Sequence, residues 1–157
     1  MSPKNNNDLI GIDSMINEIE SLLCIGSNDD VRSVGIWGIG GIGKTTLAAA
    51  VFDRISCQFE GSCFIHGVRE ESEQSGGLNR LRRELYYAIL GDVNICNSFV
   101  GCNFMKKRLG RKKFLTVFDD VIDSRQIESL IGGFDYVDSG SQIIIITRES
   151  KCSKIVG

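Results

Sequence analysis

The sequence predicts an α/β fold built on a parallel sheet covered by helices on both faces. Two observations predict it. Short apolar runs alternate along the chain with segments whose apolar residues recur at helical spacing. The first such run, Val31 to Trp37, leads through a glycine-rich octapeptide, GIGGIGKT at 38–45, straight into an amphipathic segment.

Taken in order, residues 1–8 read as a disordered, polar tail, and the folded unit as 9–157. Asp13 and Ser14 can cap a helix with Ile16, Ile19, Leu22 and Leu23 on one face, stopped by Gly26-Ser27-Asn28-Asp29. After the glycine loop, Leu47, Val51, Ile55 and Phe59 repeat every four residues, the stripe of a half-buried helix. Cys63 to Val68 reads as a second strand and Glu70 to Gly77 as an exposed polar loop. Leu78, Leu81, Leu85 and Ile89 give another helix, ended by Gly91. A loop through Asn94, Asn97 and Gly101 leads to a short helix near Asn103 to Leu109. Phe114 to Phe118 is a strand, Arg125 to Ile131 a helix, and Gln142 to Thr147 a final strand. Trp37 and His66 are expected in structural positions.

Composition sets the class. Hydrophobic residues make up 42% and charged residues 24%, ordinary values for a soluble globular domain. A net charge of −2 supplies no global attraction to nucleic acid or an anionic membrane, so neither is expected as a partner. The N-terminus lacks the apolar core of a signal peptide, and no apolar run reaches the length of a membrane span. Six cysteines without a C-x-x-C pair, and the single His66, argue for free thiols rather than a zinc site. A reducing, cytoplasmic or nucleocytoplasmic setting is therefore expected.

The octapeptide at 38–45 is the Walker A phosphate loop, G-x-x-x-x-G-K-[ST]. Gly38, Gly40, Gly41 and Gly43 let the backbone wrap inward so that successive N–H groups converge on anionic oxygens. The following helix adds its N-terminal N–H groups and positive dipole end. Lys44 supplies a point charge for the β/γ-phosphates, and the Thr45 hydroxyl is placed to ligate Mg²⁺. A second element, Phe114 to Phe118 followed by Asp119-Asp120, has the form of Walker B. Asp119 would hold Mg²⁺ beside Thr45, and Asp120 would orient or deprotonate a water, the one catalytic candidate. Arg148, after the last strand, reads either as a γ-phosphate sensor or as a solvated strand-end arginine. The basic run Lys106 to Lys113 reads as a solvated helix end rather than a nucleic-acid patch. The absence of an N-K-x-D run favours adenine over guanine.

These motifs fall in the order LIGID (9–13), GIWGIGGIGKTTLA (35–48), FEGSCFIHGVREES (59–72), KKFLTVFDDV (112–121) and GSQIIIITRES (140–150). So ordered, the chain resembles the nucleotide-binding (NB-ARC) region of plant intracellular disease-resistance receptors, from about Leu9 to Val156. The form of FIHGVRE, and the lack of tryptophan after Asp119-Asp120-Val121, resemble the subclass with an N-terminal TIR domain.

The resemblance implies a three-layer P-loop NTPase fold with strand order 2-3-4-1. It implies a switch that holds ADP at rest and exchanges it for ATP. It places Ile10, Gly11 and Ile12 against adenine, Thr46 at the α-phosphate, and Arg148 as the γ-phosphate sensor. In a full receptor the partners implied are TIR, ARC and leucine-rich-repeat domains and other protomers. The sequence departs from the family where Ile146 stands for the usual first threonine of Thr-Thr-Arg, where Asp138-Ser139-Gly140-Ser141 replaces Gly-Pro-Gly-Ser, and where Thr116 interrupts the Walker B strand. It ends at Gly157, before the family's fifth strand and later motifs, so it reads as a truncated chain with an exposed sheet edge.

The function expected is an adenine-nucleotide (ADP/ATP–Mg²⁺) binding switch module in defence signal transduction, at most a slow ATPase. Two alternatives are a stand-alone P-loop ATPase and a truncated decoy or inert fragment.

Overall fold

A computed structural model describes residues 6–23, 32–37, 43–91, 105–133, 137–138 and 140–148. Four strands, β1 (Arg32–Trp37), β2 (Gly61–Ile65), β3 (Phe114–Val121) and β4 (Gln142–Thr147), form one parallel sheet in the order β1-β4-β3-β2. This is the 2-3-4-1 arrangement, read from the opposite edge. The helices are α1 (Asn6–Leu23), α2 (Lys44–Ile55), α3 (Val68–Glu73), α4 (Gly77–Leu90), α5 (105–109) and α6 (Ser124–Ile131), with a 3₁₀ turn at Ser56–Gln58.

The sequence pattern explains the layering. Every residue of β4 is buried, because four consecutive isoleucines serve both faces of a central strand. Ile144 and Ile146 join Val34, Leu115 and Val117 under α1 and α2, through Ile16, Ile19, Leu23, Ala48, Val51 and Ile55. Ile143 and Ile145 face the other way with Phe114, Phe118, Cys63 and Ile65. There Leu81, Leu85 and Tyr86 of α4, Met105 and Leu109 of α5, and Ile127 and Leu130 of α6 cover them. Burial, with a contribution from the Glu84 charge, pushes the free thiol of Cys63 up to about 12 from 9.0, so it is an inert core group. Cys57 is exposed and also free, while Cys24, Cys96, Cys102 and Cys152 lie outside the described residues.

The structure differs from the sequence expectation in several places. α1 begins at Asn6, so Asp13 and Ser14 lie within the helix rather than capping it; both are exposed, and neither needs a partner to remain there. β2 stops at Ile65, and the expected loop from Glu70 is instead the end of α3. α3 has no apolar periodicity to announce it. It is nucleated by Gly67, whose left-handed conformation (φ 65°) turns the chain after β2. Buried Val68 anchors it, Glu70 and Glu71 complement its dipole, and Glu71 pairs with Arg80 of α4 at 3.0 Å. Trp37 is 58% exposed rather than buried. Asp138 closes the altered turn before β4, accepting from the Gly140 N–H at 2.9 Å through its side chain.

Thr116 shares the strand parity of Phe114 and Phe118, is fully buried, and its hydroxyl has no hydrogen-bond partner. Valine has nearly the same shape and leaves no polar atom stranded. Thr116→Val is therefore expected to raise unfolding stability by about 1–2 kcal/mol, read as a shifted urea midpoint with an unchanged slope.

Candidate functional site

The four strands are parallel, so their C-terminal ends lie on one edge of the sheet, where ligands bind in open α/β folds. Lys44, Thr45, Asp119, Asp120, Ile146, Thr147 and Arg148 line one cleft there. Five of these seven, Lys44, Thr45, Asp119, Asp120 and Arg148, are the candidates that the sequence offers on three separate stretches of chain.

Two local devices build the cleft. Gly43 adopts φ 61° at the N-cap of α2, a conformation that glycine takes without strain, and its carbonyl accepts the Leu47 N–H at 2.7 Å. The helix thereby starts at Lys44, whose Nζ reaches across to the Thr147 carbonyl at the end of β4, 3.4 Å away. The second device is a bulge in β3. Phe118 pairs with Ile145, but Val121 pairs with Thr147, so three steps on β3 match two on β4. The extra residue flips the side-chain parity: Val121 packs on the Phe118 face instead of the Leu115 face. Asp119 and Asp120 occupy the bulge, and Asp120 has φ 61°, the one positive φ outside glycine among the described residues.

Asp119 meets α2. The Thr45 hydroxyl donates to its two carboxylate oxygens at 3.1 and 3.3 Å. A hydroxyl and a carboxylate this close suit a hard cation that takes its other ligands from phosphate and water. Among the described residues no group of three or more His, Cys, Asp or Glu gathers into a self-sufficient metal cage. Asp119 also has a neighbour that sequence reasoning placed elsewhere. His66, expected in a structural position, follows β2 at the same edge, its side chain 68% exposed. Its Nδ1 lies 3.6 Å from Asp119 Oδ2, and its ring stacks on Phe64 at 4.4 Å.

Asp120 meets α3 instead. Arg69 Nε is 3.3 Å from Asp120 Oδ2. Arg69, Asp120, Val121, Ile122, Thr147 and Arg148 line a second cleft that shares three residues with the first. Arg69 falls inside the FIHGVRE motif, but its meeting with Asp120 depends on α3, which periodicity does not reveal. Its place four residues after β2, on the sheet edge that holds Lys44 and Asp119, was the available clue.

Arg148 is exposed at the end of β4 and lines both clefts. Thr46 is exposed in the first turn of α2. Gly38, Gly40 and Gly41 lie outside the described residues. Ile10, Gly11 and Ile12 fall within α1, and their side chains lie outside the described set. Among the described residues no helix is long and apolar enough to cross a membrane.

Helix-flanked parallel strands with a glycine-initiated helix opposite an aspartate-tipped strand define a P-loop NTPase fold. A solved structure supports the architecture: the Cdc6p protein from Pyrobaculum aerophilum superposes with a TM-score of 0.65 over 97% of this chain and 42% of its own, at 13% identity. The NB-ARC domain model matches residues 12–157, and the chain belongs to that family. Its relatives include the disease resistance-like protein DSC1 of Arabidopsis thaliana, 40% identical over 96% of this chain and 12% of its own length. TMV resistance protein N of Nicotiana glutinosa is 42% identical over 90% of this chain and 13% of its own. The chain thus spans about an eighth of the length of these relatives.

The bulge conformation makes a checkable demand. A β-branched side chain at φ 61° is strained, whereas asparagine tolerates the left-handed region. Asp120→Val should lower unfolding stability by about 1–2 kcal/mol in urea titration, and Asp120→Asn by less than about 0.5 kcal/mol.

Proposed function

We propose that this chain is the adenine-nucleotide switch module of an intracellular plant immune receptor, with residues 9–157 as its nucleotide-binding subdomain. The observation that carries the reading is the meeting of Lys44, Thr45, Asp119 and Arg148 around one cleft at the C-terminal sheet edge. Together they offer a mobile cation, a hydroxyl–carboxylate pair and a guanidinium, the groups that a nucleoside polyphosphate with its counter-cation requires.

In this reading Lys44 neutralises the β- and γ-phosphates, and Thr46 with the loop glycines Gly38, Gly40, Gly41 and Gly43 supports the phosphate chain. Thr45 and Asp119 would hold Mg²⁺, which when bound offsets phosphate charge. Arg148 distinguishes ATP from ADP by reaching for the γ-phosphate. Ile10, Gly11 and Ile12 face the adenine. Asp120 is the group that would orient an attacking water. Turnover is at most slow, because the module's task is to retain the nucleotide. In a full receptor the bound nucleotide would set the arrangement of TIR, ARC and leucine-rich-repeat domains and of neighbouring protomers. The names of the relatives, which speak of disease resistance, support the defence setting.

Loss of the Lys44 charge removes a charge-assisted contact to phosphate. Lys44→Ala is expected to weaken ADP binding by about 1.5–3 kcal/mol, roughly 10- to 150-fold, in calorimetric titration with Mg²⁺ present. An unchanged affinity in a folded variant contradicts the assignment.

A further inference from the structure

The Arg69–Asp120 contact joins a residue that the nucleotide reading uses, Asp120, to one that it leaves without a role, Arg69. Asp120 is fixed from both sides. Its backbone is held in the bulge at φ 61°, and its Oδ2 lies 3.3 Å from Arg69 Nε. The pair is only partly solvated, with side-chain exposures of 35% for Arg69 and 28% for Asp120, so solvent screens it incompletely.

Arg69 is itself well anchored. Gly67 turns the chain sharply after β2, and Val68 is fully buried, which fixes the first turn of α3 over the end of β3. At its other end α3 is tied to α4. Gly77 approaches so closely that an added Cβ would fall 1.5 Å from the Glu71 carbonyl oxygen. Arg80 links Glu71 at 3.0 Å and Gln74 at 2.8 Å. The guanidinium is thus presented from a braced base, in the cleft that Asp120 shares with Arg69 and that Thr45 and Asp119 do not line.

We propose that Arg69 is a brake on hydrolysis, a positioning residue that acts through Asp120. The inference rests on the nucleotide-binding reading above. In hydrolysis the oxygen of a water bonds to the γ-phosphorus while the bond to the β–γ bridging oxygen breaks, yielding ADP and inorganic phosphate. The proton released by the water must be accepted, and Asp120 is the carboxylate at the cleft placed to take it. With Oδ2 committed to Arg69, the Asp120 carboxylate is held toward α3. It offers the water one oxygen in a fixed orientation rather than a freely turning pair, which slows proton transfer and lets bound ATP persist. Release of the pair, by rotation of the Arg69 side chain away from Asp120 over its braced backbone, would free the base. Retention or loss of the bound γ-phosphate is then set by a contact outside the phosphate loop.

The test compares ADP affinity and steady-state phosphate release from ATP–Mg²⁺ for the full 157-residue chain and its variants. Arg69→Gln should raise kcat by at least about 10-fold, with KM and ADP affinity within about 2-fold of the parent. That is short of the roughly 100-fold or more that a general base supplies, because the contact restrains the base without removing it. Arg69→Met, which keeps the packing of the stem, should behave alike and guards against a folding defect in the first variant. Arg69→Lys should stay near the parent rate. Adding Asp120→Asn to Arg69→Gln should abolish the gain. An unchanged or lower kcat in both Gln and Met variants, with ADP binding intact, overturns the brake while leaving the nucleotide reading standing. A marked loss of ADP affinity in those variants also overturns it, making Arg69 a phosphate ligand. If the parent chain binds no nucleotide, both readings fall together.

Discussion

Burial of the sheet on both faces is the constraint on which the rest of the molecule depends. A strand such as β4, with no exposed residue, must be central and must be covered above and below. Parallel neighbours then require each connection to cross a face of the sheet, and the crossovers supply that cover. The geometry has one further outcome: all four strands end on the same edge. Residues separated by up to 104 positions in sequence, Lys44 to Arg148, reach one cleft because an apolar core demanded parallel strands.

Within that frame, small local irregularities do the positioning. The glycine at the N-cap of α2 sets where the helix begins, and so where Lys44 and Thr45 stand. The bulge in β3 divides two adjacent carboxylates between two helices. Asp119 turns to Thr45 on α2, and Asp120 turns to Arg69 on α3. Without the extra residue, Val121 would sit on the wrong face of the strand and leave the core beside Phe118. The apolar core and the split of the aspartates are therefore consequences of one backbone feature.

Much of this was legible in the sequence, for physical reasons. Apolar β-branched runs and helical stripes report burial directly, which is why β4 matched its expected span residue for residue and Gly91 was found as a helix stop. The family pattern supplied the strand order. What escaped was structure held by polar or conformational terms. α3 rests on a left-handed glycine, a few acidic residues and ties to α4, none of which generates periodicity. The β3 bulge leaves no mark in an apolar run that ends in two aspartates. Residue type and strand context point to structural positions for Trp37 and His66, but Trp37 ends β1 and His66 follows β2, where the strands stop being covered, and both side chains are exposed.

Hydrogen exchange of the whole chain with and without ADP–Mg²⁺ tests the central claim most directly, that the C-terminal sheet edge is the nucleotide site. Peptides spanning 38–48, 117–121 and 146–149 should gain protection together, while α4 and α6 exchange at unchanged rates. Protection confined to other regions, or no change at a saturating nucleotide concentration in a folded sample, would contradict the account.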